Sequence, residues 1–224
     1  AMTPFSTIEI DPTTATLSAP IEDAYIHQGD PDTNYGSATL LDFCGQDYDG
    51  YWRKAYFKFD LSSIPSDAVG VSATFRVYIY YCYNPLSRSE VWYTTTDWDE
   101  YTITWNNQPY FQTELAGWIP PDGATGYVDI DFSESVVDNY FGSIIKFGTY
   151  TYSTSEEYVR VYSREGSYPP QLIITYNVNP AIGLLSPEDG SIVNKSWTLL
   201  NLSVDDPDGD LLTVSLYVND TLVN

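Results

Sequence analysis

Basic residues are scarce in this chain. Nine Lys and Arg stand against 31 Asp and Glu over 224 residues, a formal net charge of −22 at pH 7. Nucleic acid is held by clustered basic side chains that release counterions, so a chain this acidic is not expected to bind it. An anionic membrane surface is repelled for the same reason. No apolar run approaches the ~20 residues of a membrane-spanning helix, so insertion is not expected either. Cysteine and histidine are nearly missing: Cys44, Cys82 and His27 are the full set. Without a Cys-x-x-Cys pair, and with His27 far from both cysteines in sequence, neither a zinc site nor a Cys–His dyad is expected. Gly-x-Ser-x-Gly, His-Glu-x-x-His and phosphate-loop patterns are also absent. Carboxylate pairs such as Asp97/Asp99 and Asp129/Asp131 arise by chance in so acidic a chain, and the expectation is that the protein is not an enzyme.

What is abundant is aromatic. Phe, Trp and Tyr make up 16% of the residues, and 21 of them are tyrosines, which favour strands and ligand-facing surfaces. The hydrophobic pattern has period two. Ala55, Phe57, Phe59 and Leu61 alternate with Tyr56, Lys58 and Asp60, and Ala73, Phe75, Val77, Ile79 and Tyr81 alternate with Thr74, Arg76, Tyr78 and Tyr80. Val128, Ile130 and Phe132, then Val159 and Val161, then Leu172, Ile174 and Tyr176 continue the pattern. Such strands bury one face and leave the other wet. Turn signals separate them at Asp49-Gly50, Asn84-Pro85, Pro120-Pro121-Asp122-Gly123 and Pro169-Pro170. Helical patterning is confined to a short stretch from Glu134 to Tyr140 behind a Ser133 cap. The fold class read from this is all-β, an antiparallel β-sandwich of jelly-roll type.

Four segments in order carry a family resemblance: Asp32-Thr-Asn-Tyr-Gly36, Ala55-Tyr-Phe-Lys-Phe-Asp-Leu-Ser-Ser-Ile-Pro65, Trp98-Asp-Glu-Tyr-Thr-Ile-Thr-Trp-Asn-Asn-Gln-Pro109 and Tyr162-Ser-Arg-Glu165. Together they resemble the DNRLRE domain, a β-sandwich module of secreted and cell-surface proteins. They are also similar to the disaggregatase-related repeats of archaeal surface proteins and to a carbohydrate-binding module family attached to alginate lyases. The resemblance implies a jelly roll over residues 20–177, after an N-terminal extension or first strand at 1–19. It further implies a non-catalytic, extracellular or cell-surface module that binds polysaccharide or surface glycan, in some cases as an accessory to a degrading enzyme. Residues 178–184 read as a linker. Residues 185–224, with Trp197 to Val204, Asp205-Asp-Pro-Asp-Gly-Asp210 and Leu211 to Val218, resemble the opening strands of an immunoglobulin-like surface repeat. They hold about half of the ~100 residues that such a sandwich needs.

Candidate site residues fall into four groups. Sugars stack on flat aromatic faces, and Tyr51, Trp52 and Trp118, beside Asp49-Gly50 and Pro120-Pro121, sit in loop-like contexts suited to that role. Arg53 is the accompanying basic candidate, although Arg53, Lys54, Lys58, Arg76, Arg160 and Arg164 are all expected chiefly to pair with the acidic surface. That favours a neutral or amino sugar over a polyanion. Trp98 and Trp105 are expected to be structural. Asp30, Asp32 and Asn34, and separately Asp206, Asp208 and Asp210, place oxygens at alternate positions, as structural Ca²⁺ requires; an Asx-rich turn without metal is the competing reading. Cys44 and Cys82 are expected to form a disulfide, with two unpaired thiols as the alternative. Asn194, Asn201 and Asn219 open glycosylation sequons.

A second function class stays open. Leu199, Leu202, Val204, Leu212, Val214, Leu216 and Val218 form an apolar face in the C-terminal segment. Either the first domain covers it, or copies of the chain complete one another in a surface filament, sheath or layer.

Overall fold

The computed structural model describes residues 13–17, 19–43, 45–46, 49–83, 88–132, 137–151, 157–188, 192, 199–207, 216–218 and 221–223. Among these, fifteen strands follow in chain order. They are β1 (Thr13–Leu17), β2 (Glu22–His27), β3 (Leu40–Phe43), β4 (Arg53–Asp60), β5 (Val69–Tyr83), β6 (Ser89–Thr94), β7 (Phe111–Trp118) and β8 (Gly126–Phe132). After them come β9 (Ile144–Thr151), β10 (Tyr158–Tyr162), β11 (Gln171–Asn177), β12 (Ala181–Ser186), β13 (Asn201–Asp205), β14 (Leu216–Val218) and β15 (Thr221–Val223). The short helical stretch expected near Tyr140 is a 3-10 turn over Asp138–Tyr140, and residues 133–136 lie outside the described set.

Two antiparallel sheets face each other. One runs β1-β11-β5-β10-β3, with β8 on the other edge of β5, and the second runs β2-β4-β9-β6-β7. The expected all-β sandwich is the observed fold. β5 is long enough to pair β11 along its first half and β10 along its second. The inward rows follow the period-two pattern: Ala55, Phe57 and Phe59 of β4, Phe75, Val77 and Ile79 of β5, and Ile145 and Phe147 of β9 are all buried. Phe75 is the hub, edge-on to Phe57 and to Phe147 with centroids 4.9 Å away in each case. Burying one such ring is worth about 1.5–3 kcal/mol, and the rings interlock across both sheets.

Two departures from simple alternation matter. The register of β10 against β5 shifts between Arg160 and Val161, so the extra residue of a β-bulge flips the end of β5. Tyr81, expected inside, is exposed, and Cys82 is buried in its place. Second, the outer face of β4 is not wet. Tyr56 and Lys58 are buried there, together with Ala24 and Ile26 of β2, beneath Trp98 and Ile103 of the connection between β6 and β7.

The large core cluster draws on residues between Ala15 and Val178. Residues 181–184, expected within a linker, belong to β12, which pairs with β13 as a separate two-stranded unit. Along it Leu185, Leu199, Leu202 and Val204 are exposed. β14 and β15 form a further hairpin, while Leu212 and Val214 lie outside the described residues.

Candidate functional site

The segment from Trp98 to Pro109 shapes the outer face of the second sheet. It is held from both sides. Asn34 Nδ2 donates to the carbonyls of Glu100 and Ile103, at 2.8 Å each, and Asn106 Nδ2 donates to Asp32 Oδ1 at 2.7 Å. Gly36 fits because it has no side chain: a Cβ there would stand 2.0 Å from the Glu100 carbonyl oxygen. Beneath the segment, the Lys58 ammonium lies 4.7 Å from the centre of the Trp98 ring and pairs with Glu22 and Asp97. With Arg164, which pairs with Glu100 at 3.3 Å, all four resemblance motifs are in contact as one packed unit.

The segment covers β2 and part of β4 and stops at β7. Beyond it, an open groove of about 510 Å³ is lined by Glu90, Trp92, Phe111 and Tyr150. Their placement follows from register. Glu90 of β6 stands opposite Tyr150 of β9, and Trp92 stands opposite Gly148. The absent side chain at 148 is what seats Phe111, since a Cβ there would meet Phe111 Cε1 at 2.7 Å and Tyr56 Cδ1 at 2.9 Å. Trp92 Nε1 donates to Glu90 Oε2 at 2.9 Å, which fixes the indole plane. Arg88 rests over Gly117 and bridges Glu90 and Glu114.

Lys54 marks the inner end. Its ammonium lies 5.0–5.1 Å from the ring centres of Trp105, Phe111 and Tyr150 and donates to Gln108 Oε1 at 2.7 Å. Burial among these rings brings its pKa down to about 8. Among the described residues it has no carboxylate partner, whereas Arg53, Lys58, Arg76, Arg160 and Arg164 all pair with acids as expected.

The residues singled out from sequence are scattered around this groove. Trp52 borders it, with its ring 5.2 Å from Tyr150. Tyr51 is exposed but stands beside His27, ring centres 5.7 Å apart. Arg53 pairs with the buried Asp42 at 3.1 Å and also bonds Tyr158. Trp118, expected in an open loop, ends β7 and packs against the core, 6.1 Å from Phe43. The alternation of β7 turns it inward, away from the groove lining. Trp98 is buried as expected, and Trp105 is half-buried under Lys54. Phe111, Tyr150 and Glu90 were not singled out, because nothing in a linear pattern says which outward residues a crossing segment leaves open.

The oxygens of the first Asp-rich loop have other partners. Asp30 Oδ2 accepts from Tyr35 and bonds the His27 ring, each at 2.9 Å, and Asn34 Oδ1 accepts from the Gly36 amide. In the second loop Asp206 is half-buried, while Asp208 and Asp210 lie outside the described residues. Cys82 is a buried free thiol, its pKa pushed up to about 11 by burial, and Cys44 lies outside the described residues. Asn201 is exposed on β13; Asn194 and Asn219 also lie outside.

A second aromatic surface covers the other sheet, where Tyr78, Tyr127, Tyr162 and Tyr168 contact one another. It is less suited to a ligand, because Tyr78 and Tyr168 stack at 4.2 Å and occupy each other's faces.

No curated protein matches the chain. Residues 14–176 match the family model described as carbohydrate-binding module family 96, which takes in both sheets, the crossing segment and every residue of the groove. A match over that much of the molecule settles the family: the chain belongs to carbohydrate-binding module family 96, and its sandwich is a carbohydrate-binding module.

Proposed function

We propose that this is a non-catalytic, extracellular module that binds a neutral glycan in the groove between Trp92, Phe111 and Tyr150. The observation that carries the reading is the trio of aromatic side chains around an open channel with Glu90, Gln108 and Lys54 within reach. A pyranose presents an apolar C–H face and a rim of hydroxyls. The rings take the face, and the polar groups take the rim. A uronate polymer fits poorly, since Lys54 is the single described cation here without an acidic partner and the chain carries −22. The three sequons support an extracellular setting, as does an aromatic site suited to polysaccharide. Among the described residues, no helix is long and apolar enough to cross a membrane.

A glycan array followed by calorimetry tests this. Trp92→Ala and Tyr150→Ala should each weaken binding about 3- to 10-fold, the value of one aromatic contact. Tyr168→Ala should leave affinity unchanged. An array without neutral-glycan hits, or full affinity in both groove variants, would refute the reading, and a loss in the Tyr168 variant would move the site to the other sheet.

A second reading, assembly through the C-terminal segment, is favoured by one observation. Leu185 and Leu199 are 57% and 74% exposed beside β13, so among the described residues this part of the apolar face is left open.

A further inference from the structure

Among the described residues, Asp23 is the one fully buried carboxylate whose charge the fold leaves half-answered. It sits on β2 opposite Phe57 with 0% exposure. Its Oδ2 accepts from the Arg164 amide at 2.7 Å, but Oδ1 is buried without a hydrogen-bond donor among the described residues. Two further carboxylates converge on it. Glu100, 2% exposed, comes from the crossing segment, and Glu165 comes from the turn after β10. Each of the three brings an oxygen within 4.8 Å of the other two.

Charge counting shows what is missing. Three carboxylates carry −3, and the only cation paired with them among the described residues is Arg164, at 3.3 Å from Glu100 and 3.2 Å from Glu165. With all three ionised −2 is left, and two of the carboxylates, Asp23 and Glu100, are buried, where an unpaired ion is costly. We infer that Asp23, Glu100 and Glu165 form a Ca²⁺ site that ties the 98–109 segment to β2 and to the turn after β10. One divalent ion brings the cluster to neutrality and gives Asp23 Oδ1 its missing partner. The donors also favour calcium: three carboxylates from separate parts of the chain make an irregular all-oxygen set, which Ca²⁺ accepts and Mg²⁺, with its near-ideal octahedron, does not readily take. The site differs from both Asp-rich loops, and it stands whatever sugar the groove takes.

The test uses the full chain stripped with EDTA and titrated with Tb³⁺. Its emission should be sensitised by Tyr101, next to Glu100 in the chain, and by Trp98 of the same segment. Emission should saturate at one ion per chain, Ca²⁺ should compete it away, and Ca²⁺ should raise the melting temperature. Asp23→Asn should abolish the saturable signal. Glu165→Gln alters an exposed residue outside the core, and should weaken binding at least tenfold while cooperative unfolding is kept. Non-saturating emission, or unchanged affinity in the Glu165→Gln variant, would overturn the site and mean that Arg164 alone closes the cluster.

Discussion

At the residue scale, Lys54 shows how burial sets chemistry. Its neighbours are rings and an amide, so the ammonium gains cation–π and hydrogen-bond energy but loses water. The folded pKa of about 8 lies below the ordinary value of 10.5. Between those two values the unfolded chain holds a proton that the folded chain has shed. The cost of burying the charge is therefore fully present below pH 8, and stability is gained as pH rises from about 8 to 10.5. Side-chain NMR should give a Lys54 midpoint near 8, and Lys54→Met should flatten the pH dependence of stability in that window. A midpoint near 10.5 would show that water reaches the ammonium. None of this was legible in the sequence. Lys54 looked like any other basic residue awaiting an acid, because the rings around it come from β7, β9 and the crossing segment.

At the element scale, the crossing segment explains why separated motifs travel together. Asn34 and Gly36 exist for the backbone of Glu100, and Arg164 for its carboxylate. Gly36→Ala would drive a methyl into a carbonyl 2.0 Å away, so the segment or the 30–36 loop must shift. Overpacking of this kind costs about 1–3 kcal/mol. Thermal unfolding should show that loss, and a weaker hold on Gln108 and Trp105 should lower glycan affinity with it. An unchanged melting temperature would mean that the two loops adjust freely. The strands themselves were readable, because period two places Phe57, Phe59, Phe75 and Val77 inward without knowledge of any partner. Their ends were not. The bulge that exposes Tyr81 arises from β10, about 80 residues away, and the cover over Tyr56 and Lys58 turns an apparently wet face into a small second core.

At the scale of the whole molecule, two opposing forces bear on the C-terminal segment. The core between Ala15 and Val178 closes on itself, while Ile182, Leu185, Leu199, Leu202 and Val204 meet solvent. Each Å² of that apolar surface covered by a second copy contributes about 25 cal/mol towards association. The net charge of −22 works the other way, since two such chains repel until salt shortens the range of their fields. The Debye length falls from about 30 Å at 0.01 M salt to about 8 Å at 0.15 M. Repulsion between approaching chains is thereby lost, and the apolar contact is kept. Association through this face should therefore strengthen with salt, opposite in sign to an attraction between charged patches. Sedimentation velocity from 0.01 to 0.5 M NaCl should show the weight-average mass rising, and Leu199→Glu with Leu202→Glu should return the chain to monomer at every salt concentration. A wild-type chain that stays monomeric throughout would discard assembly and leave the groove as the working surface of the protein.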